Sequence, residues 1–222
     1  MIFPAMRGKN GGYINLNESA EKHDLWQKRP KNLERSPFLD PATCQQMVAE
    51  YHAERGLVYS FGGWLEDRSL VWGGSYMEEG QKFIHLGYDF NASVGTPVAV
   101  NRECELIQID DDTPEEHGWG TRLIVRLIDE PMFLIYAHVK LRLSHGQKKP
   151  GTILHPGCVF AEIAPSDCNG GWYSHVHVQA MALEAYQEFQ KNPASLDGYG
   201  KKSDIAKLAR WHPDPMRFIA ID

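Results

Sequence analysis

Paired cysteine motifs are absent from this chain of 222 residues, although it contains four cysteines. Cys44, Cys104, Cys158 and Cys168 show no CxxC spacing, and in a chain of this length they do not form the pattern of a disulfide framework. We therefore predict reduced thiols in a packed core rather than a small scaffold stabilised by disulfides.

Long apolar runs and basic runs are missing as well. No stretch reaches the length of a membrane span, and residues 1–16 contain no apolar segment typical of a signal peptide. As written, the sequence predicts a cytoplasmic protein, whereas a trimmed N-terminus would leave a location in the cell envelope open. The net charge of −6, without any lysine- and arginine-rich stretch, argues against a general nucleic-acid binder.

The apolar content is sufficient for one core, since 42% of the residues are hydrophobic and repeats are absent. We predict an N-terminal arm and packing helix (1–70), a β core (71–182) and a C-terminal helical extension (183–222) within one compact domain. The residues before about 40 are polar and interrupted by proline, which predicts an arm without much structure of its own. Asp40-Pro41 is typical of a helix start, and Gly56 can end that helix.

Short runs of β-branched and aromatic residues dominate from residue 83 onward, with turn residues between them. Two short helices are predicted after this region, one beginning near Leu183 and one near Ser203. The predicted fold class is therefore mainly β (α+β), with an antiparallel sheet and peripheral helices. The predicted strands cover 57–61, 84–90, 98–100, 104–109, 123–128, 132–138, 153–154, 158–163 and 174–181.

Two of these strands carry metal-ligand side chains on one face. At the two-residue period of a strand, HLGYDF places His85, Gly87 and Asp89 on one face and apolar residues on the other. HVHV places His175 and His177 together in the same way. Gly87 leaves room for a metal ion because it has no side chain. Histidine and aspartate donors suit zinc, and three protein ligands leave the fourth position open, as a catalytic site requires.

One further histidine, His138, ends an otherwise apolar strand and could converge with the others on one groove. HxH and HxxxD are short patterns that also arise by chance, so spacing alone does not decide between a metal site and satisfied core histidines. We assign the other histidines to the surface, to the core or to turns: His23, His52, His117, His145, His155 and His212.

Two polar segments allow functional and structural interpretations. The segment 62–80 contains glycine pairs, Trp64, Trp72 and charged residues, and it either lines a substrate cleft or forms ordinary loops. The acidic run 110–112, with Glu115 and Glu116, lacks the spaced ligands of a calcium loop. We therefore predict a solvated hairpin tip there.

Several motifs, in order, resemble one known family. His85–Phe90 followed by Gly95–Ala99 looks like the first signature of the lysostaphin-type (LytM-like) zinc metallopeptidases. Tyr136–Val139 is similar to the middle motif of that family, and His175–Val178 is similar to its terminal HxH motif. The order and the separations match over roughly residues 83 to 181.

The resemblance implies one zinc ion bound by His85, Asp89 and His177, with His138 and His175 as catalytic histidines that do not bind the metal. It implies that the β core is that of a zinc peptidase, an antiparallel β-sheet groove of the lysostaphin/LytM type with the metal at its floor. The implied activity is that of a zinc metalloendopeptidase that hydrolyses an amide bond in a peptidoglycan-derived or other short peptide. Which of the two catalytic histidines acts as the base stays open.

The chain departs from the usual pattern of the family at its loop Asn169–Ser174. This loop and the ending Pro213–Pro215 look more like the peptidase-like modules fused to aminotransferases. Two alternatives therefore accompany the peptidase: a non-hydrolytic or regulatory domain that retains the fold, and a zinc amidohydrolase acting on a cytoplasmic small molecule. The expected partner is a peptide substrate, without nucleic acid or membrane. The sequence leaves the oligomeric state open, as well as whether the N-terminal arm covers the site.

Overall fold

A computed structural model describes residues 1–30, 34–112 and 117–221. The α-helices are α1 Leu16–Lys22, α2 Asp24–Gln27, α3 Pro41–Arg55, α4 Met77–Gly80, α5 Leu183–Lys191 and α6 Ile205–Trp211. The strands are β1 Gly11–Tyr13, β2 Tyr59–Gly62, β3 Ile84–His85, β4 Tyr88–Asn91, β5 Pro97–Ala99, β6 Cys104–Asp111, β7 Thr121–Leu127, β8 Met132–Ala137, β9 Val139–Leu141, β10 Ile153–Leu154, β11 Val159–Ile163, β12 His175–Ala182 and β13 Tyr199–Gly200.

The main sheet has the strand order β1-β2-β4-β12-β8-β7-β6-β10 within the described residues. Its neighbouring strands pair antiparallel, apart from the parallel pair β1 and β2. A smaller sheet, β5-β11-β9, and the pair β13-β3 complete the strands. The predicted mainly β fold class, an antiparallel sheet groove with peripheral helices, is confirmed.

The two faces of the main sheet are covered by different elements. On one face, Val176 and Val178 of β12 join Phe160 of β11 and other side chains of the smaller sheet in the largest apolar cluster. On the other face, Ile135 of β8 packs with Phe189 of α5 in a second cluster. The alternation along the strands therefore produces two apolar layers, as the two-residue period requires.

The helix predicted after residue 40 is present as α3, with the expected caps. The Asp40 side chain accepts a hydrogen bond from Thr43 N at 2.8 Å, and Gly56 ends the helix at φ +62°. The apolar side chains of α3 pack with Ile14, Leu16 and Trp72 in a third cluster. This cluster lies beside the predicted site, because it also contains Trp172 and Tyr173.

The segment before residue 40 is more regular than its composition indicates. β1 extends the main sheet by pairing with β2, and the Asn15 side chain caps α1 by accepting a bond from Glu18 N at 2.9 Å. Gly11 permits this pairing, since a Cβ there would lie 2.2 Å from the Tyr59 ring. Polar composition hid this segment because its order depends on backbone pairing, a cap and scattered apolar residues such as Phe3 and Leu16, which are buried in the clusters without a regular period.

One predicted strand, 84–90, is two strands in the structure. β3 pairs with β13, whereas β4 pairs with β2 and β12 in the main sheet. Between them, Leu86 N donates to Gly198 O at 2.9 Å, so the backbone bonds here go to the C-terminal part of the chain. The break places His85 and Asp89 on different strands.

The remaining expectations concern cysteines and membranes. All four cysteines are free; Cys44 and Cys104 are buried, and the other two are half-buried. None of the helices in the described parts of the chain has the length and apolarity needed to cross a membrane.

Candidate metal centre and pocket

Strand register brings the first pair of candidate ligands together. In the antiparallel pair β12 and β4, His177 lies directly opposite Asp89. Side chains of such cross-strand pairs point to the same face at close range. His85 reaches the same place from β3, so three of the predicted site residues meet although they come from three strands.

The three side chains form a tight triangle of possible ligand atoms. His85 Nε2 lies 2.9 Å from His177 Nδ1 and 3.3 Å from Asp89 Oδ1. His177 Nδ1 lies 3.0 Å from the same Asp89 oxygen. Zinc bonds of 2.0–2.1 Å in a tetrahedral site separate the donor atoms by roughly 3.3 Å. The triangle therefore has the size of a zinc donor set.

The outer hydrogen bonds of both histidines determine which nitrogen faces the triangle. His85 Nδ1 donates to Gly63 O at 3.1 Å, which leaves Nε2 as a proton acceptor. His177 Nε2 donates to Gln179 Oε1 at 3.0 Å, which leaves Nδ1 as an acceptor. The orientation of the Gln179 amide is itself fixed, because its nitrogen donates to Asp197 O at 3.2 Å.

Three acceptor atoms thus converge at one buried point. His85, Asp89 and His177 are each at most 3% exposed. Burial lowers the pKa of His85 to about 3, so its ring is neutral at physiological pH. Lone pairs that face one another in a dry site repel unless a cation lies between them. The donor set of two neutral imidazoles and one carboxylate fits zinc.

Gly87 contributes space, as expected, although the space is taken by a ring. A Cβ at Gly87 would lie 2.7 Å from His177 Cε1 and 2.5 Å from Val178 O. Glycine is therefore needed for the His177 ring to reach Asp89 across the two strands.

His138 reaches the site through an unusual backbone conformation. The neighbouring β8 residues Leu134 and Tyr136 point into the largest apolar cluster, and strict alternation would send His138 to that same side. Instead, His138 adopts φ +63°, in the left-handed region that non-glycine residues seldom occupy. Its ring lines the pocket, with its centroid 4.6 Å from that of His175.

His138 and His175 both present Nε2 to the pocket. Their Nδ1 atoms donate to backbone oxygens at 2.8 Å, His138 to Asn169 O and His175 to Tyr173 O. His175 Nε2 lies 3.6 Å from Asp89 Oδ1. Burial lowers the pKa of both rings, most strongly that of His138, so each is neutral and can accept a proton at neutral pH.

The second oxygen of Asp89 is bound on the far side of the carboxylate. Asp89 Oδ2 accepts a short hydrogen bond from Arg68 Nη1 and a longer one, at 3.3 Å, from Tyr173 OH. Burial alone would raise the pKa of Asp89, but the Arg68 guanidinium bound to Oδ2 holds that pKa well below its usual range. The carboxylate is therefore ionised and available as a ligand.

Loops supply the walls of the pocket above these donors. Trp72 and Tyr76 line one part of the pocket, and His117, Trp119 and Trp172 line another. The Tyr76 ring stacks on His117 with a centroid separation of 5.7 Å and an interplanar angle of 25°. In the segment 62–80, Trp72 and Tyr76 therefore line the pocket, whereas Trp64 does not. Within the described part of the chain, residues before 62 do not line the pocket.

The acidic run beside this wall is partly structural rather than fully solvated. Asp110 pairs with Arg122 at 2.7 Å, and Asp112 Oδ2 accepts a hydrogen bond from Trp119 N at 3.0 Å. Asp112 thereby fixes the backbone of Trp119, whose ring lies 5.6 Å from that of His177. Glu115 and Glu116, also assigned to the tip, lie outside the described residues.

Sequence analysis did not identify several residues around the site. In the sequence, Arg68 is one of several charged residues in the segment 62–80, and Gln179 follows His177 by two residues, on the same face of the predicted strand. His117, predicted to be a surface, core or turn residue, lines the pocket, whereas Trp64 lies outside it and donates to His212 O at 2.9 Å. Position in the sequence could not reveal these roles, because they depend on how loops fold over the sheet.

Comparison with known proteins yields structural similarity only. Neither a protein-family profile nor a curated protein matches the chain. Among solved structures, the catalytic domain of lysostaphin from Staphylococcus simulans is 18% identical and has a TM-score of 0.43, covering 61% of this chain and 79% of that one.

Two further structures share part of the chain. The M23 protein EnpA from Enterococcus faecalis is 17% identical with a TM-score of 0.37, over 45% of this chain and 68% of that one. A zinc-containing peptidase from Vibrio cholerae is 20% identical with a TM-score of 0.37, over 46% of this chain and 28% of that one. At these values the similarity is partial and assigns no family to the chain.

Proposed function

We propose that this chain is a zinc-dependent metallopeptidase that hydrolyses an amide bond in a short peptide, derived from peptidoglycan or from another source. One observation carries the proposal: three acceptor atoms, from His85, Asp89 and His177, converge within hydrogen-bond distance of one another. Such a set favours a bound cation, and two imidazoles with one carboxylate form a donor set used by catalytic zinc sites. The motif resemblance of residues 83 to 181 supports the same assignment.

Zinc held by these residues supplies a Lewis acid that lowers the pKa of water and polarises a carbonyl group. The rings of His138 and His175 supply the proton acceptors, since each presents an unprotonated Nε2 to the pocket. Whichever ring accepts the proton from the attacking water can afterwards donate it to the leaving amine. The other ring, whose Nε2 is also an acceptor, is placed to accept a hydrogen bond from the attacking water and so to orient it.

The walls of the pocket suit a peptide chain. Trp72, Trp119 and Trp172 line the pocket with largely apolar rings, and polar side chains such as that of Tyr199 complete the lining. Pockets of this kind bind a ligand through apolar contact and orient it with a few polar groups. A short peptide with small side chains matches these walls, because its planar amide groups can lie against the rings.

The proposal is tested with purified protein on pentaglycine, muropeptides and intact peptidoglycan, with small-molecule amides in parallel. We expect one zinc ion per chain and amide hydrolysis that stops when a chelator removes the metal and returns when zinc is added back. His155→Ala is the control for loss of a histidine outside the site, because this exposed histidine pairs with Glu103 at 2.7 Å. Its activity should equal that of the wild type.

Each of the other outcomes favours a different function for the chain. Stoichiometric zinc without turnover of any amide would favour the non-hydrolytic domain, and turnover confined to small molecules would favour the amidohydrolase. A wild-type protein that binds no divalent metal at micromolar concentrations would refute the proposal as a whole.

A further inference from the structure

Arg68 is a buried charge in a loop beside the candidate metal centre. Its side chain is 1% exposed, although it belongs to the loop between β2 and α4. A buried guanidinium is costly unless it is paired and hydrogen-bonded. Arg68 meets this requirement through Asp89, through Glu66 Oε1 at 3.2 Å and through Tyr199 OH at 3.3 Å.

The Asp89 carboxylate is divided between two sets of partners. Oδ1 faces the rings of His85 and His177 at 3.3 and 3.0 Å. Oδ2 faces the other way, where Arg68 and Tyr173 donate hydrogen bonds to it. The two oxygens therefore have separate tasks, and only Oδ1 belongs to the triangle of possible ligand atoms.

Gly63 allows the side chains of Arg68 and the candidate ligand His85 to pack against the same backbone residue. Gly63 adopts φ +114°, and a Cβ there would lie 2.2 Å from Arg68 Nη2 and 2.7 Å from His85 Nδ1. Its carbonyl oxygen also accepts the hydrogen bond from His85 Nδ1 at 3.1 Å. Gly63 thus contacts both Arg68 and the candidate ligand His85, and no residue with a side chain would fit at this position.

Glu66 holds the other end of the guanidinium. Its Oε1 accepts from Arg68 Nε and, at 3.1 Å, from Leu16 N at the start of α1. The Glu66 side chain is 3% exposed, so Arg68 is held between two buried carboxylates. A guanidinium held in this way has little freedom to leave Asp89.

We propose that Arg68 is a positioning residue for the metal centre, which holds Asp89 Oδ2 so that the carboxylate offers a single oxygen to the ion. The inference rests on the proposed zinc site. With one donor atom per ligand residue, a coordination position stays open for water or substrate, because Oδ2 does not occupy it.

The test measures metal binding and coordination rather than activity alone. Arg68→Gln and Arg68→Lys are compared with the wild type by competition against a chromophoric chelator, first for zinc and then for cobalt. We expect zinc affinity to fall about 10- to 100-fold in Arg68→Gln, as is typical when an outer-shell partner of a metal ligand is lost. Arg68→Lys should restore part of that affinity, because its ammonium group can still donate a hydrogen bond to Oδ2, although it lacks the planar fork.

The visible spectrum of the cobalt-substituted protein separates positioning from general damage. A freed Oδ2 can join the ion, so Arg68→Gln should convert the intense bands of a four-coordinate site into the weaker bands of a site with more ligands. Arg102→Lys is the matched control, since Arg102 pairs with Asp129 and Glu130 away from the pocket. Its affinity and spectrum should be those of the wild type.

A folded Arg68→Gln with wild-type affinity and spectrum would overturn the inference, even if the enzyme proved to be a zinc peptidase. If both Arg68 variants fail to fold, Tyr199→Phe decides, because it removes only the hydroxyl that contacts Arg68 Nη1 and Trp72 Nε1. A severalfold loss of zinc affinity with the same spectral change would support the inference, and no change would overturn it. A wild type that binds neither metal would contradict the proposed function itself.

Discussion

The two sides of the Asp89 carboxylate are built from different parts of the fold. On the Oδ1 side, regular strands present the possible ligands, with His177 of β12 directly opposite Asp89 of β4. On the Oδ2 side, loops present Arg68 and Tyr173, which bind the same carboxylate without being possible ligands themselves. The strand side supplies donor atoms, and the loop side supplies orientation and charge.

This difference separates two kinds of sensitivity to mutation. Changes on the strand side should remove metal or chemistry outright, because a donor or a base is lost. Changes to the groups that only orient a donor should lower the metal affinity by a limited factor, because the donor atoms remain. Asp89 belongs to both sides, so its substitution should have the largest effect.

Asp89→Ala should abolish zinc binding and also destabilise the fold. The variant loses a ligand and leaves the Arg68 guanidinium buried without its main partner, which costs about 3–5 kcal/mol when a buried ion pair is broken from one side. Zinc content is measured by metal analysis, and the free energy of unfolding is measured by denaturant titration.

Asp67→Ala is the matched control for that change. Asp67 pairs with Lys202 at 3.2 Å at the surface, so its loss should cost at most about 1 kcal/mol and leave zinc binding unchanged. Zinc retained at full stoichiometry in Asp89→Ala would show that the ligand assignment is wrong.

His138→Ala and His175→Ala should keep zinc and lose activity. Their Nε2 atoms act as proton acceptors in the proposed mechanism, and such groups contribute about 10²- to 10⁴-fold to kcat. The measurement pairs kcat with zinc affinity from chelator competition, and the affinity should stay close to that of the wild type.

His138→Asn separates the ring from its backbone. Asparagine accepts a positive φ more readily than alanine does, so it should preserve the turn at φ +63° while removing the base. We expect His138→Asn to be as inactive as His138→Ala. An active His138→Asn would mean that the backbone conformation at this position matters and that the imidazole does not.

The strand side of the site is the part that the sequence predicts well. Alternation predicts that Asp89 and His177 each lie on the polar face of their own strand. The register of β4 and β12 then places the two residues directly opposite each other. The same rule fails at His138, where alternation points the ring toward the apolar cluster and only the positive φ turns it to the site. A single backbone dihedral outside the strand region is not visible in a pattern of residue types.

The loop side could not be predicted, for a related reason. Arg68 stands among Glu66 and Asp67 in a loop, and nothing in that order of residues shows that Arg68 and Glu66 are buried while Asp67 is surface-paired. Burial there depends on contacts with residues far along the chain, such as Tyr199. Contacts at such separations are set by tertiary packing, which local patterns do not encode.

Gln179→Leu should have the smallest effect of these substitutions and tests orientation from within a strand. Gln179 Oε1 accepts a hydrogen bond from His177 Nε2, and without that bond the ring is free to carry its proton on Nδ1, which then cannot bind metal. We expect zinc affinity to fall about 10-fold and the free energy of unfolding to fall by about 1–3 kcal/mol, because a buried N–H is left without an acceptor. Gln108→Leu, whose amide binds Asp110 on β6, should change neither quantity appreciably. Unaltered zinc affinity in Gln179→Leu would mean that strand geometry alone orients His177, and the need for separate orienting groups would then be confined to the loop side.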